Sequence, residues 1–323
     1  MDQKNAQVVR AVELYYQRSL TQQKISEMMG VSRPTVSRLL EEAKKQGFVE
    51  IKVNTPVSLN SQLSELLRTE LNLKDVLVTD SEVVDYEITL PKVAEATSLY
   101  FSSIIKTDSV IGISWGRTIK AFVDKLSEFS VPEANVIQIV GGLGGGNPAI
   151  DGQELAYKMA RKLSCAYQYI HAPAILSNSD TVRELMEQKA IKDLMDKAKS
   201  ANIYLSAVGS FDEEQCSIER SGYLGAGEKG KLLQSGAVGH LLAHPMDESG
   251  VEISPFNERI LSIPLAHLQK AEWSIGIAAT AIKAKALLAA IKGRYYNVII
   301  VDKGCAQELL RLLKNESVYQ IGS

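Results

Sequence analysis

Seven short apolar runs, at 76–79, 110–114, 136–140, 167–172, 203–208, 275–279 and 298–302, recur along this chain with helical stretches between them. Runs that are apolar throughout, rather than alternating, belong to strands covered on both faces. Their habit of ending in Gly, Ser or Thr ahead of a helix predicts an α/β fold with a doubly wound, mainly parallel sheet. Such a sheet binds ligands beyond the C-terminal ends of its strands. The 323 residues exceed one comfortable core, so a small domain is expected beside a large one, with residues 1–55 preceding an α/β domain at 56–323.

The first sixty residues have a different rhythm. Val8, Ala11, Val12 and Tyr15 fall at helical spacing. Thr21 is placed to cap a second helix with an inner face of Ile25, Met28 and Met29, and Gly30 ends it. Ser32 opens a third helix, Pro34 lies in its first turn, and Val36, Leu39, Leu40 and Ala43 repeat the inward stripe. Three helices this short bury enough only as a compact all-α unit, and the Gly30-Val31 turn has the length found in helix-turn-helix DNA readers. The segment at 48–53 reads as a strand able to form a wing.

Arg38 points away from the inward stripe, flanked by Thr35 and Ser37, with Arg33 at the helix start. An exposed helix N-terminus, small hydroxyls for phosphates and an arginine able to grip a guanine edge are what DNA reading requires. The DNA-contacting set is therefore Thr21, Gln22, Ser32, Arg33, Thr35, Ser37 and Arg38, facing double-stranded operator DNA. The plainer alternative is a capped surface helix, since Glu41 and Glu42 would repel phosphates. Overall net charge is −2, but residues 1–58 carry nine basic against six acidic side chains, a local +3 that leaves −5 for the remainder.

No apolar run approaches the ~20 residues needed to span a bilayer, and MDQKNAQVVR lacks a signal-peptide core, so a cytoplasmic protein without membrane contact is expected. Cys165, Cys216 and Cys305 are read as buried thiols. His171, His240, His244 and His267 have no metal-ligand spacing, and no serine sits in a G-x-S-x-G elbow, so neither metal, cofactor nor catalytic group is assigned. The helix with Leu63, Leu66, Leu67 and Leu71 on one face either forms a dimer seam or packs on its own domain.

Three strand ends invite an anion. Gly112-Ile-Ser114-Trp-Gly116-Arg-Thr118 opens a helix, the Gly141–Gly146 run permits close backbone approach, and Ala278-Ala-Thr280 precedes Lys283. The glycine run lacks both GxGxxG and the Lys-Ser/Thr of a P-loop, which disfavours a nucleotide-dependent enzyme. Glycines that merely let the chain turn remain the alternative for each loop.

LTQQKISEMMGVSRPTVSRLL at 20–40, GISWGRT at 112–118, QIVGGLG at 138–144, SGAVG at 235–239 and GRYYNVIIVD at 293–302 together resemble the SorC family of sugar-responsive bacterial regulators over nearly the whole chain. The resemblance implies a winged helix-turn-helix joined to a domain related to sugar-phosphate isomerases, assembled as a homotetramer and switched by a sugar or sugar phosphate. It places the phosphate on Ser114, Gly116, Thr118 and Lys283, with Gly141 and Gly142 beside the sugar and His240 at the pocket. Val140, His240 and Ala278-Ala279-Thr280 stand where many relatives have a basic residue, an acidic residue and Ala-Gly-Gly. The last difference is shared with the sorbose-type branch, which points to ketose or polyol metabolism. The competing functions are a sugar-phosphate isomerase-like enzyme fused to a DNA-binding domain and a constitutive DNA-binding protein with a purely structural large domain.

Overall fold

The computed structural model of the protein describes residues 3–49, 57–80, 85–144, 146–212, 216–225 and 227–321. Contacts divide the chain into two units, Met1–Pro56 and Val57–Ser323.

In the smaller unit, α1 (Gln3–Val12) runs into a π-helical turn (Glu13–Gln17), followed by α2 (Gln22–Met29) and α3 (Arg33–Lys45). The caps lie where short polar residues dictate. Thr21 and Ser32 accept from the N–H groups of Lys24 and Thr35, each at 3.3 Å, and Gly30 closes α2 in the left-handed region at φ 64°. Val8, Ala11, Ile25, Val36, Leu39, Leu40 and Ala43 form the core. Leu14 joins them in place of Tyr15, because the wide i→i+5 turn breaks the 3.6-residue phase that α1 begins. Met28, expected inside, is 51% exposed. Ser26 takes the buried place instead, its hydroxyl satisfied by the Gln23 carbonyl at 2.8 Å. The expected wing lies mostly outside the described residues.

The larger unit contains α4 (Ser61–Glu70), β1 (Asp75–Thr79), α5 (Tyr86–Ile104), β2 (Val110–Ile113), α6 (Arg117–Lys125), β3 (Asn135–Gln138), α7 (Gly152–Leu163) and β4 (Ala166–Gln168). Then come α8 (Ser179–Glu187), α9 (Lys189–Lys199), β5 (Ile203–Ser206), β6 (Gly209–Ser210), α10 (Ser217–Arg220), α11 (Glu228–Gln234), β7 (Gly239–Leu241) and β8 (His244–Met246). The unit ends with β9 (Trp273–Ala278), α12 (Ala284–Lys292), β10 (Val298–Asp302) and α13 (Lys303–Ile321).

All seven apolar runs are strands of one parallel sheet, in the order β1-β10-β9-β5-β2-β3-β4. Every residue of β3, β5 and β10 is buried, as strands covered on both faces must be. From β2 the chain steps through β3 to β4 in one direction, and from β5 it steps through β9 and β10 in the other. The order reverses where β5 lies beside β2. A second sheet, β6-β7-β8, is antiparallel. Its strands of two or three residues are too short to leave a periodic signal in sequence.

Both edges of the large sheet are modest. β1 is partly covered by the preceding segment, which bridges Leu59 to Thr79 and donates Asn60 N–H to Val78 at 2.8 Å. β4 is shorter than the run at 167–172, because the Gln138 side chain takes the Ile170 N–H and draws the chain out of the ladder. Beside it stands a file of rings: Tyr157 meets Tyr167 edge-on at 5.5 Å, Tyr167 stacks on Tyr169 at 6.1 Å, and Tyr169 lies 4.4 Å from His171. At this open edge Cys165 is only half-buried, unlike Cys216 and Cys305.

α4 packs on its own unit, against β1 and α13. Leu67 is fully enclosed, whereas Leu66 is 46% exposed. Leu67→Ala should therefore destabilise by about 2–5 kcal/mol, and Leu66→Ala by less than about 0.5 kcal/mol. Denaturant titration of both variants checks this, and a large loss at Leu66 would instead identify a seam between copies.

Candidate functional site

The reversal of strand order leaves the loops after β2 and β5 to diverge, and a crevice opens between them. It holds about 480 Å³ of space not filled by protein atoms, its open mouth included. The segment after β2 contributes Ser114, Trp115 and Gly116 with Arg117 and Thr118 of α6, that after β5 contributes Ala207 and Val208 with Gly209 of β6, and that after β9 contributes Lys283. Tyr86, Ser217, Arg220, His240 and Leu242 complete the lining. The structure thus gathers five of the seven expected effector residues: Ser114, Gly116, Thr118, His240 and Lys283.

Gly141 and Gly142 do not line this crevice. Gly141 is held by backbone crowding, since a Cβ there would sit 2.5 Å from the Pro173 carbonyl, and its own carbonyl accepts from the Trp115 indole at 3.0 Å. The Gly142 carbonyl accepts from the Tyr223 hydroxyl at 2.6 Å. Arg220 and Ser217 were not foreseen. They sit on a four-residue helix with no apolar stripe to announce it.

The chemistry at the mouth of α6 is suited to an anion. Gly116 is its N-cap, at φ 110°, and offers no side chain to the first-turn N–H groups. Ser114 is 4% exposed, and its Oγ has no hydrogen-bond partner among the described residues. Thr118 Oγ1 lies 3.3 Å from the Tyr86 hydroxyl. The Arg117 guanidinium sits over the Tyr86 ring at 4.7 Å and pairs with Glu87 at 3.6 Å. Three of the residues lining the crevice, Arg117, Arg220 and Lys283, are cationic.

His240 is buried on β7 over Gly209, where even a Cβ would strike its ring. Nε2 lies 3.3 Å from Ser217 Oγ, and Nδ1 has no partner among the described residues. Burial, reinforced by the charges of Lys283 and His244, pushes its pKa down to about 3. His244 has a structural role, with Nε2 2.7 Å from Ser262 Oγ. No group of metal-binding side chains is found among the described residues.

In the small unit, Thr21, Gln22 and Arg33 share a recess with Tyr15 and Gln23. Ser32, Arg33 and Arg38 are exposed, and Gln22, Thr35 and Ser37 are half-buried. Ser32 and Thr35 spend their hydroxyls on each other at 2.8 Å. Arg10 and Arg18 pair with Glu13, whereas Arg33 and Arg38 show no ion pair among the described residues.

One consequence of the buried His240 is a pH dependence. Its depressed pKa means the folded state resists the proton that the unfolded chain takes up near pH 6.5. Stability conferred by the neutral ring is present above that pH and falls by about 1.4 kcal/mol per unit as pH drops toward 3. The difference in unfolding free energy between parent and His240→Asn, measured from pH 7 to pH 4, should show this slope.

Residues 55–311 match the family described as "Putative sugar-binding domain", and residues 7–66 match a Crp-like helix-turn-helix domain. The chain is 30% identical over 312 residues to a deoxyribonucleoside regulator of Bacillus subtilis, covering 96% of this chain and 99% of that one. It is 27% identical over 307 residues to the sorbitol operon regulator of Klebsiella pneumoniae, covering 94% and 97%. The crystal structure of that full-length regulator, SorC, superposes with a TM-score of 0.73 over 96% of this chain and 100% of the other. With a reading helix at one end and a sugar-binding fold over most of its length, the chain belongs to the SorC family of sugar-binding transcriptional regulators.

Proposed function

We propose that this regulator controls a carbohydrate-utilisation operon and is switched by a sugar phosphate held in the crevice at the reversal of strand order. The observation that carries the reading is the Ser114 hydroxyl, without a partner among the described residues, beside a start of α6 that no side chain caps, with Thr118 on that helix and Lys283 arriving from another strand end. A buried hydroxyl without a partner costs free energy that a phosphate oxygen would recover. First-turn N–H groups and the helix dipole favour the same anion. The relatives named for deoxyribonucleoside and sorbitol operons support a small carbohydrate as the remainder of the ligand.

The effector acts by binding one arrangement of the large domain better than another, which shifts the spacing of the DNA-reading helices. That mechanism needs more than one copy of the chain on the operator, and a homotetramer fits it. A local charge of +3 makes few phosphate contacts, so several small units must bind together. In each, Arg38 and Arg33 meet the DNA, with Thr21, Gln22, Ser32, Thr35 and Ser37 fixing α2 and α3 against the backbone. The setting is the cytoplasm, and no helix among the described residues is long and apolar enough to cross a membrane.

Arg38→Ala should remove base discrimination worth about 1–3 kcal/mol while leaving the fold intact. Footprinting on the native operator with unchanged affinity and sequence preference would place α3 outside the groove. Lys283→Ala should lose a charge-assisted contact of about 1.5–3 kcal/mol, weakening a phosphorylated effector by roughly 10–150-fold and an uncharged sugar less. Operator binding without effector should be nearly unchanged in gel shifts. Calorimetry showing an undiminished affinity for sugar phosphates would displace the phosphate from this crevice.

A further inference from the structure

Two residues beyond the end of β9 the backbone enters a conformation that side chains avoid. Thr280 has φ 74° and ψ 151°, a region occupied almost solely by glycine because a Cβ crowds the backbone there. Its N–H donates to Asp302 Oδ1 at 2.6 Å, and its carbonyl accepts from the Lys283 N–H at 3.2 Å, closing the turn Ala281–Lys283. Asp302 is buried at the end of β10, the strand beside β9, and its Oδ2 accepts from the Gly304 N–H at 2.9 Å. The carboxylate thus fastens a strained residue of one strand end to the neighbouring strand end, and the turn so formed carries Lys283 to the crevice.

We propose that Asp302 and Thr280 are positioning residues for the effector's phosphate, the buried carboxylate holding a glycine-like turn in a threonine and so keeping Lys283 at the ligand. The inference rests on Lys283 acting as the ligand's cation. A short N–H bond to a carboxyl oxygen is among the stronger hydrogen bonds, and backbone strain of this kind corresponds to roughly 5–150-fold in population. Without the carboxylate nothing offsets the strain, Thr280 relaxes to negative φ, and the following turn moves with it. A glycine at 280 holds the same turn without strain, so the need for the carboxylate disappears.

A simple capping role for Asp302 at the start of α13 makes a different forecast, because residue 280 would then have no power to repair its loss. Calorimetry of the full-length protein with inorganic phosphate separates the two. Asp302→Asn should weaken phosphate binding at least about fivefold, adding Thr280→Gly should restore it to within about twofold, and Asp302→Asn should have no further effect on Lys283→Ala. Thr280→Gly alone should melt a few degrees above Thr280→Ala, since both remove the side chain and only glycine relieves the backbone. Parent-like binding by Asp302→Asn, no repair by Thr280→Gly, or a Thr280→Gly variant melting no higher than Thr280→Ala would each overturn the proposal. If Lys283→Ala itself bound phosphate like the parent, the phosphate site would fall and the proposal with it. Weak binding by Lys283→Ala beside normal binding by Asp302→Asn would overturn the positioning role alone.

Discussion

Where β2 meets β5, Tyr204 lies beside Gly112, and a side chain on Gly112 would come within 2.4 Å of the tyrosine ring. That close approach seats the ring directly on the β2 backbone at the place where the strand order reverses. Tyr204 anchors its hydroxyl on the Ala198 carbonyl at 2.8 Å, and Ile111 pairs with Ile203 on one side and Val136 on the other. The loops that follow these two strands run to opposite sides of the sheet, and the packed pair of strands is the floor from which the crevice opens.

The two units solve different problems with similar residues. In the small unit the hydroxyls of Thr21 and Ser32 close helix ends, so they fix the orientation of α2 and α3 before any nucleic acid arrives. In the large unit the helix that opens the crevice begins with glycine, and the hydroxyl of Ser114 just before it has no hydrogen-bond partner among the described residues. The same two residue types thus close helix ends in one unit and leave a helix end open in the other.

Much of the architecture was legible in sequence, for physical reasons. The apolar runs at the centre of the large sheet became strands because a strand enclosed on both faces must be apolar throughout, whereas β4 at the margin has Ala166 and Tyr167 exposed. The caps at Thr21, Ser32 and Gly30 were readable because only a few residue types suit those backbone positions. Four residues of the crevice were legible because two of the strand ends carry hydroxyl, glycine or cationic residues, and His240 because it follows the Gly-containing turn at 235–239. What escaped was set by distance along the chain or by local geometry. The π turn moved Leu14 into the core, and Ser26 displaced Met28 through a bond to its own helix. Arg220 and Ser217 reach the crevice from a short excursion without periodicity. The paired glycines at 141 and 142 serve the backbone crossing near Pro173, a contact no local pattern discloses.

The two margins of the large sheet bear on what else could pair with it. A parallel sheet with a long bare margin presents unpaired N–H and C=O groups to any other extended chain. Here the margin at β4 is three residues long and flanked by a file of tyrosine and histidine rings, while the far margin at β1 is bridged by the chain's own segment at Leu59. Between them the two margins leave little free strand on which another extended chain could add.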